Sequence, residues 1–366
     1  MTSMDTLLRD AKILLACWDI IRSRDFLMGR RVRSFEKKLS RVLGGLPVAS
    51  VASGTDGLIL SLKALGIGPG DEVIVPAVSF FSTAASVAWV NAMPVFVDVD
   101  PATFHCDPVQ LESAVTPKTK AVMVAHLNGG MADMEPIVAI ARRHHIFIIE
   151  DAAQAIGALY KGHPAGHYGD VAVFSFNPSK ILATYGDGGA VASRDVSLIE
   201  KISRMRMYGS RLQDLSARHD MLGVASRLGP FQAAVLDIGI DVLEKRIQAR
   251  RKIFFQLVAG LADVSTVVVP AARMQEDHFV TGYRFPLLVP KRDALLSRLR
   301  RAGIDARTHY QVPLPRFQAF SSLPSFSKEF PGAERVAREV VVLPTDQMLT
   351  DGDVQKIISL CGETAN

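Results

Sequence analysis

The sequence predicts an α/β protein: a mostly parallel sheet with helices on both faces, followed by a smaller C-terminal α/β domain. Apolar runs of strand length alternate with helical patterns from about residue 50 to 195, the pattern of a parallel sheet covered on both sides. A shorter alternation of the same kind occupies the C-terminal part. The chain has 366 residues, too many for one ordinary core, so two domains are expected.

The expected strands are 47–51, 72–76, 93–99, 121–126, 146–150, 171–176 and 189–192, with helical stretches at 56–65, 82–91, 107–114 and 136–144 between them. The run 73–97 is apolar enough to suggest a membrane span. Pro76, Asn91, Pro94 and several hydroxyl residues interrupt it, and a buried strand–helix–strand accounts for it better. Gly66-Ile67-Gly68-Pro69-Gly70 resembles a dinucleotide-binding loop but follows a helix and precedes a strand, the wrong order for one. It reads as a helix C-cap and turn. A long helix is expected from 229 to about 261, with Glu244-Lys245-Arg246 and Arg250-Arg251-Lys252 on a solvated face. It links a large domain at 1–245, which includes an N-terminal helical segment, to a small domain at 246–366. In the small domain 279–289 reads as a strand, 292–302 as a helix and 304–309 as a strand. Thr350 and Asp353 have the spacing of a capping box that opens the last helix.

A net charge of +5 is mild for this length and does not suggest nucleic-acid binding. Cys17, Cys106 and Cys361 lie far apart, without a C-x-x-C pair, and read as reduced thiols of a cytoplasmic protein. The N-terminal apolar run Ile13-Leu14-Leu15-Ala16 is short and follows an acid, so no signal peptide is expected. His163 and His167 are four apart, but Pro164 and Gly166 prevent one helical face from presenting both to a metal. His144-His145 suit a helix C-terminus. No metal site is expected.

The chemistry centres on Lys180, in the stretch Phe174-Ser175-Phe176-Asn177-Pro178-Ser179-Lys180. A strand ending in Glu150-Asp151 precedes it, and Gly186-Asp187-Gly188-Gly189 follows. A carboxylate at the end of one buried strand and a lysine after the next is the arrangement a pyridoxal phosphate enzyme needs. The lysine forms a Schiff base with the aldehyde, and the carboxylate keeps the pyridine nitrogen protonated. Ser53-Gly54-Thr55-Asp56 opens a helix and fits a capping box, but with Lys180 downstream the favoured reading is a phosphate held on the exposed N–H groups, with the Thr55 hydroxyl adding to them.

From about Phe26 to the C-terminus the chain resembles the DegT/DnrJ-type sugar aminotransferases, a branch of the fold type I aspartate aminotransferase superfamily. The likeness rests on residues 29–36, Ser53-Gly54-Thr55-Asp56-Gly57-Leu58, residues 66–76 and 94–100, Glu150-Asp151-Ala152-Ala153-Gln154 and residues 174–189. The resemblance implies pyridoxal 5'-phosphate held covalently on Lys180, which also shuttles the proton, with pyridoxamine 5'-phosphate as the intermediate. It implies that Asp151 pairs with the pyridinium nitrogen, Gln154 lies near the phenolic oxygen and Phe80 stacks on the ring. Gly54, Thr55 and Ser175 would hold the phosphate. A homodimer with active sites at the interface is implied too.

Four departures stand out. Gly223-Val224-Ala225-Ser226-Arg227 carries Ala225 where the family has an Asn that reaches the partner subunit's phosphate. Ile156 replaces a frequent His, Gly130 a frequent Gln, and the segment after His309-Tyr310, beginning at Gln311, lacks a second His. They are expected to cluster near substrate-facing positions. The expected reaction moves an amino group from L-glutamate or L-glutamine to a keto-sugar, expected to be nucleotide-linked, for antibiotic deoxysugars or surface polysaccharide. Alternatives are a cyclitol, sugar phosphate or other ketone as acceptor, or a non-catalytic regulatory protein on the same fold. A related 3-dehydratase branch carries His at the lysine position, and Lys180 argues against it.

Overall fold

A sheet of seven strands carries the chemistry at one edge. In this computed structural model, which describes residues 3–211, 219–270 and 277–363, two helices come first, α1 (Ser3–Ser23) and α2 (Arg30–Val42). Met1 and Thr2, at the start of the N-terminal run, lie outside the described residues. Then follow β1 (Val48–Val51), α3 (Gly54–Ala64), β2 (Glu72–Pro76), α4 (Phe81–Trp89), β3 (Met93–Val97), α5 (Pro108–Ser113), β4 (Thr119–Ala125), α6 (Met134–His144) and β5 (Phe147–Asp151). A short hairpin, β6 (Leu159–Tyr160) and β7 (His163–Pro164), precedes β8 (Val171–Ser175), β9 (Gly189–Ala192) and α7 (Val196–Met205).

The order across the sheet is β1-β9-β8-β5-β4-β2-β3, and only β9 runs against its neighbours. Each expected strand forms, with ends within two residues of the expected ones. Both faces are covered, so these strands are apolar throughout rather than alternating. Along β8, Ala172 and Phe174 enter one hydrophobic cluster while Val171 and Val173 enter the other. Helix α2 buries Val32, Phe35 and Leu39, a single stripe at helical spacing, against the first of these clusters. Residues 73–97 form β2, α4 and β3, as a buried strand–helix–strand should. Among the described residues no helix is long and apolar enough to cross a membrane. At the end of α3, Ile67 N–H bonds Leu62 O (3.0 Å) and Gly66 N–H bonds Lys63 O (3.1 Å), with Gly66 at φ +80°. That is a left-handed helix cap, which confirms the reading of the glycine cluster.

The C-terminal part holds α8 (Pro230–Gly239), α9 (Leu243–Leu261), β10 (His278–Phe279), β11 (Phe285–Leu288), α10 (Arg292–Arg301), α11 (Pro331–Glu339), β12 (Val340–Leu343) and α12 (Asp351–Gly362). Here three expectations are corrected. The helix expected at 229–261 is broken by a 3₁₀ turn at Ile240–Val242. Lys38 Nζ donates to Asp237 O (2.7 Å), the carbonyl that an unbroken helix would offer to residue 241. The strand expected at 279–289 is interrupted: Gly282 turns at φ +66°, and Thr281 N–H bonds Gly129 O (2.8 Å) instead of a sheet partner. Residues 304–309 form no strand: only Arg307 bridges β12, at Val342 on the side away from β11, and Asp305 and Arg307 spend their side chains on each other. The capping box at α12 is present, with Thr350 N–H on Asp353 Oδ2 (2.9 Å) and Asp353 N–H on Thr350 Oγ1 (3.2 Å).

Candidate active site

Parallel sheets present their binding crevice at the carboxyl ends of the strands. Here that edge opens into a cavity of about 570 Å³, lined by Gly54, Thr55, Phe80, Asp151, Gln154, Ser175 and Lys180 together. All the residues assigned to chemistry from the sequence therefore converge, although they come from positions 54 to 180 of the chain.

Asp151 ends β5 and is buried. Thr83 Oγ1–H donates to Asp151 Oδ2 (2.7 Å), and Thr83 and Ser79 hydroxyls meet at 2.7 Å. A carboxylate only accepts, so the one Thr83 proton is committed to it and Ser79 must donate to Thr83. Ala153 N–H reaches the other carboxylate oxygen at 3.3 Å. No cationic side chain among the described residues forms an ion pair with Asp151.

Lys180 lies on the turn after β8. That turn is pinned by Phe176, which is fully buried and meets Phe35 edge-on at 5.2 Å, and by Phe176 N–H on Gly188 O (2.8 Å). The Lys180 ammonium has no hydrogen bond or ion pair to a described residue; the Tyr283 ring centroid lies 5.7 Å from its Nζ. Burial pushes its pKa below the usual lysine value, with Tyr283 opposing and Arg284 adding to the depression. A buried amine with a lowered pKa supplies more of the neutral form that attacks carbonyls.

At the other end of the cavity Ser53 caps α3 by accepting from Asp56 N–H (3.1 Å). A Cβ at Gly54 would stand 3.0 Å from the Ser175 side chain, so glycine lets the first turn of α3 close on the end of β8. The Asp56 carboxylate does not complete a capping box; it accepts from Ser226 Oγ–H (2.6 Å). Phe80, at the N-cap of α4, is 60% exposed with its ring bordering the cavity. Gln154 is fixed at both ends, accepting from Asn128 N–H (3.0 Å) and donating to Tyr310 OH (2.7 Å).

Several further residues at this site carry no motif in the sequence. His126 follows β4, with Ala132 N–H donating to Nδ1 (3.2 Å), so Nε2 carries the proton toward Glu150 (2.9 Å). Burial would raise the Glu150 pKa, but His126 and the amides of Gly166 and Gly169 outweigh it and the net shift is downward. Glu150 thus fixes the histidine tautomer while its neighbour Asp151 faces the cavity. Thr83, Tyr310, Arg284, Arg307 and His309 also went unmarked as site residues: Thr83, Arg284 and the group at 307–310 lie far apart in sequence and share no spacing that marks a site. Burial, with Arg284, Arg307 and Lys180 nearby, lowers His309 to about 4, so its imidazole is neutral.

Residues 8–361 match the DegT/DnrJ/EryC1/StrS aminotransferase family. The chain belongs to this family. A "Pleiotropic regulatory protein" of Geobacillus stearothermophilus is 38% identical, over 94% of this chain and 92% of the relative. The "UDP-2-acetamido-2-deoxy-3-oxo-D-glucuronate aminotransferase" of Pseudomonas aeruginosa is 35% identical, over 95% and 93%. Among solved structures, S. venezuelae DesV in complex with a ketimine intermediate superposes with TM-score 0.92 at 36% identity, covering 99% of this chain and 95% of that one.

DegT/DnrJ/EryC1/StrS aminotransferases depend on pyridoxal phosphate, and the residues here fit that cofactor: a largely buried amine and a buried carboxylate, neither ion-paired to a described residue, and a helix start closed on Ser175 without a Cβ between. Gly130, Ile156, Ala225 and Gln311 do not line the cavity. Ile156 is buried in the core and Gly130 is buried behind the turn at 128–129, while Ala225 bridges Met207. Nor can Ser226 replace the missing asparagine: its hydroxyl proton goes to Asp56, and the same oxygen accepts from Ala52 N–H (3.2 Å). Ala225→Asn is therefore expected to slow cofactor loss on dialysis, by roughly the 3- to 10-fold that one added hydrogen bond supplies. Equal retention by both proteins, measured by absorbance after dialysis, would mean that position 225 does not reach the phosphate.

Proposed function

We propose that this protein transfers an amino group from L-glutamate or L-glutamine to a keto-sugar, nucleotide-linked as in the name of the Pseudomonas relative, in aminosugar biosynthesis. The observation that carries the reading is the pairing, in one cavity, of an unpartnered Lys180 amine with a buried Asp151 carboxylate. When bound, pyridoxal phosphate supplies a ring that stores the electron pair released as a proton leaves the substrate carbon. Lys180 holds the aldehyde between turnovers and, once displaced, takes and returns that proton as general base and acid. Asp151, oriented by Thr83, keeps a proton on the ring nitrogen. Phe80 covers the ring, Gln154 fixes the phenolic side, and Gly54, Thr55 and Ser175 receive the phosphate at the positive end of α3.

A homodimer fits the surface. Helix α1 leaves Leu14, Leu15 and Trp18 more than 60% exposed, an apolar face that a second copy would cover. We propose two domains meeting within α9, since Leu243 and Ile247 pack with the sheet while the side chains from Ile253 to Leu261 pack with β11, β12 and α12. A cytoplasmic location suits the three free cysteines. The name of the Geobacillus relative raises a regulatory role. Retention of both Lys180 and Asp151 favours catalysis, and a cyclitol or sugar phosphate acceptor remains open to the same chemistry.

The absorption spectrum tests this. Purified protein is expected to carry the visible band of lysine-bound cofactor, and L-glutamate or L-glutamine should bleach it. Absence of any band with added cofactor would favour the regulatory reading.

A further inference from the structure

The side chains around the Lys180 end of the cavity bear more positive than negative charge. The cavity is lined by Lys180, Arg284 and Arg307 on the cationic side, with the neutral His309 between them, and by Asp151 and Asp187 on the anionic side. The two carboxylates are already engaged, Asp151 by Thr83 and Asp187 by Asn177 (3.4 Å). Arg307 is engaged as well, through a fork to Asp305 with Nη2–Oδ2 at 2.7 Å and Nε–Oδ1 at 3.0 Å. Arg284 differs. Its guanidinium is half-buried, forms no hydrogen bond or ion pair to a described residue, and lies 4.8 Å over the ring of its neighbour Tyr283.

The same ring stands 5.7 Å from Lys180 Nζ, so one tyrosine carries a cation at each of two contacts. Tyr283 is itself 95% buried, being 5% exposed, and its hydroxyl has no hydrogen-bond partner among the described residues. The backbone holds the pair firmly. Arg284 N–H reaches Asn128 O (3.4 Å), and a Cβ at Gly129 would stand 2.8 Å from Tyr283 N, a contact only glycine permits. A half-buried guanidinium that faces the cavity without an ion pair to a described residue is available to an anion there, and its planar fork matches a carboxylate or phosphate.

Resting on the transaminase reading, we propose that Arg284 is the anion-recognising residue of the substrate chamber, held in place by Tyr283, and that the counter-ion missing from the wall is an oxyanion carried by a substrate. The class is a carboxylate or phosphate whose attachment point lies close to the reacting carbon, since Arg284 and Lys180 share one aromatic neighbour. Two sources can supply it: the carboxylate of the amino donor, or an acidic group on the ketone acceptor.

The test compares wild type with Arg284→Gln and Arg284→Lys as holoenzymes. Glutarate, an unreactive dicarboxylate, and inorganic phosphate serve as probes, read by the thermal shift each produces; the half-saturating concentration of L-glutamate is read from the change in cofactor absorbance. At least one probe is expected to raise the wild-type Tm. Arg284→Gln should weaken that probe by roughly 10- to 100-fold, with partial recovery in Arg284→Lys. A parallel rise in half-saturating glutamate assigns the oxyanion to the donor. An unchanged glutamate response with a lost probe shift assigns it to the acceptor. Wild-type affinity of Arg284→Gln for both probes and for glutamate overturns the proposal. A failure of the transaminase reading would register differently, as a wild-type absorbance band indifferent to amino donors, and the probe shifts would still judge Arg284.

Discussion

Lys180→Ala is expected to abolish turnover, lowering the rate on the order of 10⁴-fold, the upper range for removing a group that moves the critical proton. The loss should exceed that for any other single residue of the cavity, because Lys180 both holds the aldehyde and moves the proton. Its surroundings suit this: the amine is largely withdrawn from water, has no ion-pair partner among the described residues, and has its pKa lowered chiefly by burial. A lysine in that position contributes nothing to stability, so cofactor-free Lys180→Ala should melt at or above the wild-type temperature. Lys180→Arg provides the control for charge, since a guanidinium keeps the cation but cannot release its proton. Both variants should still accept cofactor at Asp151 and the α3 start while lacking the lysine-linked visible band. Activity of Lys180→Ala within tenfold of wild type would remove Lys180 from the mechanism.

How much of this was legible in the sequence depends on how local the signal was. The sheet strands were readable because burial on both faces makes each an uninterrupted apolar run, such as Val171-Ala172-Val173-Phe174. Lys180 and Asp151 were readable because each follows such a run closely, so that finding the strand end finds the residue. The C-terminal segments read less well. At 279–289 the composition favours a strand, but Gly282 and the bonds to residues 128 and 129 bend the chain over the cavity. At 304–309 only Ile304 and Thr308 favour a strand, and the chain meets β12 at the single bridge from Arg307 to Val342 before turning to the cavity. Arg284, Arg307 and His309 reach the cavity only through those bends, and no spacing rule connects them with Lys180. Thr83 was missed for a related reason: its neighbours suggest an ordinary helix start, and its role exists only because β5 ends a hydrogen-bond length away.

Asp151→Asn separates charge from geometry. Asparagine has the same shape, and its amide oxygen can still accept from Thr83 Oγ1–H, now 2.7 Å from the carboxylate, so the hydroxyl relay from Ser79 need not be disturbed. What disappears is the negative charge. In the folded chain that charge is buried at 6% exposure with no cationic side chain among the described residues paired to it, an expensive state unless a cation arrives from elsewhere. A protonated ring nitrogen is such a cation. The variant should therefore lose on the order of 10²- to 10³-fold in rate, the range for removing one preorganised electrostatic partner. It should also release cofactor faster on dialysis. Its cofactor-free form should be no less stable than wild type, because a buried unpaired charge has been neutralised. Thr83→Val, which keeps the charge and removes the hydroxyl donor, should cost far less, about 10-fold, the value of one hydrogen bond to a charged group. If Asp151→Asn and Thr83→Val lost activity equally, orientation rather than charge would be the contribution of Asp151, and its pairing with the ring nitrogen would have to be abandoned.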